Sequence, residues 1–135
     1  MTKNSNFRIY YEDTDFSGSV YHANYLKFCE RARSDIFFSK GKLPTSQGNG
    51  GFVVSELKAK FVSPAKFSDN IRVATFVKDV KKASVFLEQK IYLNNDLKNS
   101  DEVLLFESEI TLAFVRDGKV ARFPVEFLEI FEIDN

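Results

Sequence analysis

The sequence contains no tryptophan, one cysteine, one methionine, one histidine and three prolines in 135 residues. The single cysteine, Cys29, excludes an intramolecular disulfide and any multi-cysteine zinc site. The single histidine, His22, cannot form a metal site without partners. An excess of either charge is lacking too, since Lys plus Arg and Asp plus Glu are 19 each. That balance argues against a broad nucleic-acid surface and against docking on an anionic membrane. No apolar signal region follows Met1 and no run approaches a membrane span, so the expectation is a cytoplasmic protein without a transmembrane segment.

Phenylalanine is what the chain has in quantity: 15 residues, within a hydrophobic fraction of 44%. A domain of this length buries roughly 68% of the surface its unfolded chain exposes, so a core can form without covalent staples. One domain over residues 1–135 is expected. The phenylalanines can fill that core, line a pocket or seal a subunit interface.

Along the chain, Phe7 to Tyr11 reads as a first strand. Asp13 to Val20 reads as a loop in which Gly18 is free to take a positive φ. From about Asn24 the period changes: Tyr25, Cys29, Ala32 and Ile36 recur at helical spacing, widened by Phe28 and Phe37. The helix is expected to end at Lys40, because Gly41 suits the C′ position and Pro44 forbids continuation. After a Gly- and Ser-containing loop from Leu43 to Gly51, strands are expected over Phe52–Val62, Asn70–Val80, Ala83–Leu93 and Val103–Val115. In the first of these Val53, Leu57, Ala59 and Phe61 share one face. In the last the shared face is Leu104, Phe106, Ile110, Leu112 and Phe114. Asn94-Asn95-Asp96 and Asp117-Gly118 read as turns. A return strand over Val120–Phe123 and a short terminal helix from Pro124, carrying Phe127, Leu128 and Phe131, complete the pattern. Strands clustered after one long helix argue an α+β fold: a central helix wrapped by a curved antiparallel sheet of five to six strands.

The chemistry-bearing residues gather before and at the start of the helix. The stretch reads Tyr11-Glu12-Asp13-Thr14-Asp15, then Gly18, then Val20-Tyr21-His22-Ala23-Asn24-Tyr25, then Glu30-Arg31-Ala32-Arg33. A carboxylate can attack a carbonyl or activate a water. A helix start offers unpaired N–H groups and the positive end of a dipole. On spacing alone, Asp15 is more simply a turn or cap residue, and Asp13 reads as a loop or capping carboxylate. Tyr11, Tyr21 and Tyr25 form an aromatic set around the loop, Asn24 positions the helix start, and Cys29 reads as a buried inert thiol. Glu30, within the helix, reads first as an ion-pair partner for a nearby arginine.

This gap-free stretch resembles the signature of the hotdog-fold acyl-CoA thioesterases, in the 4-hydroxybenzoyl-CoA thioesterase family and its bacterial YbgC branch. The resemblance implies the hotdog fold and hydrolysis of an acyl-CoA thioester to free acid and coenzyme A. It makes Asp15 the catalytic carboxylate and gives Tyr11 a supporting role. His22, with Tyr21 and Asn24 beside it, supplies the oxyanion site at the helix start. Because some relatives carry their carboxylate on the helix, Glu30 is the fallback base. Lys81 and Lys82 stand at the turn that binds the nucleotide of coenzyme A in relatives, with Lys58, Lys60 and Arg122 as weaker basic candidates. Here lysines replace arginines, which leaves point-charge contacts rather than bidentate ones. No metal or redox cofactor is implied, coenzyme A being part of the substrate. A homodimer with sheets side by side and sites at the interface, or a dimer-of-dimers tetramer, is the implied assembly. Two other functions are compatible with the fold. One is a non-catalytic binder of acyl groups or acyl carrier protein, linked to phospholipid or envelope proteins. The other is a hydroxyacyl dehydratase, whose His-x-x-x-Gly-x-Pro motif is absent here, since His22 is followed by Ala23-Asn24-Tyr25-Leu26.

Overall fold

A computed structural model describes residues 3–46, 50–94 and 102–132. The elements in chain order are β1 (Lys3–Arg8), α1 (Asn24–Ser39), β2 (Thr45–Ser46), β3 (Gly50–Phe61), β4 (Asn70–Val80), β5 (Ser84–Leu93), β6 (Val103–Arg116) and β7 (Lys119–Val120). Short 3-10 turns follow β1 at Tyr11–Asp13 and end the described chain at Val125–Glu129. The strands form one antiparallel sheet in the order β1-β4-β5-β6-β3-β2, with β7 appended to β6. Five long strands carry it, and β2 and β7 are two-residue pieces. This is the hotdog arrangement expected from the sequence. No helix of the described residues is long and apolar enough to cross a membrane.

The helix forms where its periodicity placed it. Tyr25, Phe28, Cys29, Ala32, Ile36 and Phe37 are its buried residues. Gly41 takes φ +69, and the N–H groups of Gly41 and Lys42 donate to the Phe38 and Phe37 carbonyls, a Schellman stop. At the far end of the helix Phe37 meets the rings of Phe52, Phe127 and Phe131 at 5.8, 6.0 and 5.5 Å. At the near end Tyr25 stacks on Phe106 at 5.2 Å and meets Phe61 at 5.8 Å. Between these aromatic groups the helix rests on a polar centre. Gln89 is fully buried, and its Nε2 donates to the Cys29 carbonyl and to Thr75 Oγ1, each at 3.0 Å. Its Oε1 accepts from Arg33 Nη1 at 2.9 Å.

Several expectations are corrected. β1 runs over Lys3–Arg8, not Phe7 to Tyr11, because the Asp13 carboxylate takes the Tyr10 N–H and turns the chain out of the sheet. In β3 the register slips between Val54 and Glu56, so Ser55 is an extra residue. Val54, opposite buried Leu112, therefore joins Leu57, Ala59 and Phe61 on the helix side, and Val53 moves to the other face. In β6 the partners step from Phe106 to Leu104, so Leu105 is the extra residue and is buried, whereas Leu104 is half-buried. The return strand is only Lys119–Val120. The terminal helix is a 3-10 turn with Pro124 preceding it, and its Leu128 is exposed. Part of the Asn94-Asn95-Asp96 turn and part of the Leu43 to Gly51 loop lie outside the described residues.

One edge of the sheet stays open. β2 covers β3 only at Gly50 and Gly51. Among the described residues no strand lies beyond 52–61, where Val53, Val54, Leu57 and Phe61 are all exposed.

Candidate active site

Residues 14–20 form a tight hairpin, closed by a Thr14↔Val20 bridge and by the Asp15 N–H on the Ser19 carbonyl at 2.9 Å. At its tip the Gly18 N–H returns to the Asp15 carbonyl at 3.1 Å, and Gly18 takes φ +84, so the loop is a turn followed by a left-handed residue. A Ser19↔Lys66 bridge, with Phe67 N–H on Gly18 O and Val20 N–H on Ala65 O, ties the hairpin to the chain before β4.

The two aspartates separate cleanly. Asp13 is only 6% exposed. Its Oδ2 accepts from the Tyr10 N–H at 2.8 Å, its Oδ1 from Asn24 Nδ2 at 3.2 Å, and its carbonyl from the Tyr21 N–H at 2.9 Å. It joins loop to helix start as a structural carboxylate, in line with its reading as a loop residue. Asn24 positions the helix start through Asp13; the N-cap position itself belongs to Ala23, without a side-chain cap. Asp15 lies in the open. Its Oδ1 accepts from Ser17 Oγ at 2.5 Å and from the Ser17 N–H at 2.8 Å, and its Oδ2 takes no bond among the described residues. The Ser17 hydroxyl, then the Ser17 N–H, hold the Asp15 carboxyl below its ordinary pKa. Ser17 escaped the sequence reading, although Asp-x-Ser at a turn is the pattern in which a carboxylate accepts from the residue two on.

At the helix start, the backbone N–H groups of His22 and Ala23 find no acceptor among the described residues, while those of Asn24, Tyr25 and Leu26 close onto the first turn. These two groups stand at the positive end of the helix dipole. Asp15 lies opposite Ser19 in the hairpin, and His22 follows in the turn that leads into α1. The His22 ring is exposed, 4.4 Å from the Tyr21 ring and 6.2 Å from that of Phe61. With Tyr11 on Phe67 at 5.7 Å and the fully exposed Phe16, these rings make an aromatic rim around the hairpin.

Tyr11, Tyr21 and Tyr25 are not one cluster. Tyr25 is 4% exposed and belongs to the core, its hydroxyl accepting the buried Ala65 N–H at 2.9 Å; burial pushes its pKa up. Cys29 is likewise buried, its pKa pushed up to about 11 by desolvation, so it is protonated and unreactive at neutral pH. Glu30 does not pair with an arginine within the described chain; its Oε1 accepts from Ser34 Oγ at 2.8 Å. It lies six residues into the helix from Asn24, about 9 Å from the hairpin side.

Lys81 and Lys82 lie at the far end of the sheet. β4 leaves the hairpin at Asn70 and runs eleven residues to Val80, about 35 Å. There Lys81, Lys82 and Arg122 rim a cleft of about 470 Å³ floored by Val80, Phe123 and Leu128. Lys58 and Lys60 face Glu109 and Glu107 across the outer side of the sheet.

The fold is shared with known proteins. Residues 17–99 match the model of the thioesterase superfamily. The acyl-CoA thioesterase YbgC of Helicobacter pylori is 46% identical over 127 residues, 93% of each chain. That of Haemophilus influenzae is 37% identical over 124 residues, 89% of this chain and 84% of its own. The solved structure of 4-hydroxybenzoyl-CoA thioesterase from a Pseudomonas species superposes with a TM-score of 0.81 at 21% identity, covering 96% of this chain and 98% of that one. The chain is thus a hotdog-fold enzyme of the thioesterase superfamily. Within the superfamily it belongs with the YbgC acyl-CoA thioesterases.

Proposed function

We propose that this protein hydrolyses acyl-CoA thioesters in the cytoplasm, with Asp15 as the nucleophile or general base and the His22 and Ala23 N–H groups as oxyanion donors. The observation that carries the reading is the pairing of two unsatisfied helix-start N–H groups with a carboxylate that Ser17 keeps ionised. In the general-base form, Asp15 takes a proton from water, and the hydroxide adds to the thioester carbon. The oxyanion rests on the two N–H groups, and the coenzyme A thiolate leaves as the carbonyl re-forms. In the covalent form the Asp15 oxygen adds instead, giving a mixed anhydride that water then cleaves. One such oxyanion donor is typically worth about 10²–10³ in rate. The His22 ring, Tyr11 and Tyr21 hold the thioester's surroundings, and the reading invokes no metal and no redox cofactor.

The open edge of β3 supplies the rest of the site. A long apolar edge is a template for another strand. A two-fold pairing that keeps both helices on one face of a continuous sheet makes the two β3 strands antiparallel. Phe61 lies at the His22 end of β3, whereas Phe52 lies at the other end, 5.6 Å from Phe123 and beside the Lys82 and Arg122 cleft. Antiparallel pairing therefore brings the partner subunit's Lys81 and Lys82 to the end that holds Asp15. The 35 Å that separates these groups within one chain becomes a neighbourhood across two, and coenzyme A spans it.

The experiment is complementation. Asp15→Asn and a Lys81→Glu/Lys82→Glu double variant are each expected to be nearly inactive. When they are unfolded together and refolded as mixed dimers, about one quarter of wild-type activity should return. Half the dimers are then mixed, and one of their two sites is intact. No recovery would place both groups in one chain and overturn the shared site. A further check follows from Ser17. A base works in its ionised form, so activity falls as pH drops through its pKa. Ser17→Ala removes the larger of the two effects that depress that pKa, so the acid limb of the kcat/KM profile should move to higher pH. An unmoved limb would take Asp15 out of the base role.

A further inference from the structure

The middle of α1 carries a charge arrangement that the reaction does not use. Arg33 is largely buried, and among the described residues its hydrogen bond goes to the neutral Gln89, which the Cys29 carbonyl and Thr75 hold in place. No carboxylate lies within 4 Å of its guanidinium among the described residues. Burial draws its pKa down, and the Glu30 carboxylate, too far for a salt bridge, offsets this only in part. Glu30 lies one turn earlier on the same side. Both border a cleft of about 170 Å³ between α1 and the open side of β3, whose other walls include Phe37, Phe52, Val54 and Leu112. A desolvated cation with a neutral partner, beside an exposed carboxylate, is an unfinished pair on each chain.

The helix is registered to the strand at two points: Tyr25 over Phe61 and Phe37 over Phe52, each 5.8 Å between rings. Midway between those contacts, the open edge is centred between Glu56 and Leu57, and the helix on Arg31. A two-fold axis through the centre of the paired β3 edges thus passes close to Arg31 and Ala32. Helices related by that axis run antiparallel and oppose positions equally far on either side of it. Glu30 and Arg33, one residue before that centre and two after it, come within one residue, about 1.5 Å, of that condition, inside the reach of their side chains. We propose that Glu30 of each chain pairs with Arg33 of the partner subunit, so that two reciprocal ion pairs over the apolar cleft lock the dimer. The inference rests on the edge pairing proposed above and makes the occupant of the cleft a second copy of this chain. It also gives Glu30 a structural use in place of a catalytic one. The outer face, with Lys58, Lys60 and Lys90 against Glu88, Glu107 and Glu109, balances its charges within one chain and asks for no such partner.

The test is charge reversal read as mass. Sedimentation equilibrium of E30R and of R33E should each show a dimer dissociation constant raised at least ~100-fold over wild type, because each homodimer then holds two like-charge contacts. Mixed together, one E30R chain and one R33E chain regain two attractive contacts. Native mass spectrometry should find the heterodimer dominant, with a dissociation constant within ~10-fold of wild type. An ion pair inside one chain cannot produce that outcome. Circular dichroism checks that each variant folds. If R33E does not fold, R33Q takes its place, and its heterodimer with E30R should still be tighter than the E30R homodimer. Wild-type affinity in the single variants, or no preference for the heterodimer, overturns the pairing while leaving β3 pairing and hydrolysis intact. A wild type that stays monomeric overturns β3 pairing and this inference together. An inactive dimer bears only on hydrolysis.

Discussion

Asp15→Asn should lower kcat for acyl-CoA hydrolysis by at least ~100-fold with little change in KM, the scale and pattern of removing a group that acts only in the transition state. The measurement is coenzyme A thiol release over a panel from short aliphatic to long-chain and benzoyl thioesters. The substitution isolates chemistry from structure. Asparagine keeps an oxygen in place of Oδ1 for the Ser17 N–H and hydroxyl to reach. Asp15 supports no other contact among the described residues, so the melting temperature should stay within about 1 °C, as for surface changes of a few tenths of a kcal/mol. Asp13 would behave in the opposite way, because its carboxylate joins Tyr10 and Asn24 and its loss is a loss of structure. Turnover that survives Asp15→Asn would move the base elsewhere. A wild type with no turnover on any member of the panel would favour an acyl-binding or carrier-protein-binding role.

Phe37→Ala should cost about 3–5 kcal/mol of stability, the range for deleting a buried aromatic ring. Phe37 is 2% exposed and its ring meets three others, from β3 and from the two sides of the terminal turn. No small neighbour is placed to collapse into the space. A drop in Tm of roughly 10–20 °C is expected for a chain of this size. The neighbouring Phe38, exposed on the other side of the helix, is the control, with an expected change within about 0.5 kcal/mol. Denaturant unfolding with an unchanged m-value would assign the loss to packing. A loss below about 1 kcal/mol would mean that the terminal turn does not close over the helix as described.

The helix and its buried face were legible because six helical positions carry a 3.6-residue period and glycine stops it. The hairpin was legible in outline from Gly18, and Asp15 is a candidate carboxylate through the family resemblance more than through its spacing. The bulges at Ser55 and Leu105 were not, because an inserted residue leaves the apolar alternation locally plausible in either register. Val53 and Leu104 were misplaced for that reason. The separation of Tyr25 from Tyr11 and Tyr21 depends on which side of the first helical turn faces β6, and that is decided by packing. That the N–H groups of His22 and Ala23 find no acceptor among the described residues depends on how the chain turns from the hairpin into α1, a detail of backbone geometry. Lys81 and Lys82 were correctly placed at a turn, but a turn's position along the chain does not reveal its distance from another loop.

Gln89 gives the helix a fixed position along its own axis. Its amide is enclosed, and it is satisfied only where the Cys29 carbonyl, Thr75 and Arg33 all reach it. A slide of one turn, about 5.4 Å, would keep apolar residues against the sheet but strand that amide, at a cost of about 1–3 kcal/mol for each group left unpaired. A purely greasy interface would have no such preference. The sheet therefore acts as a ruler. The place of the helix start over the sheet is set by one side chain beneath the helix.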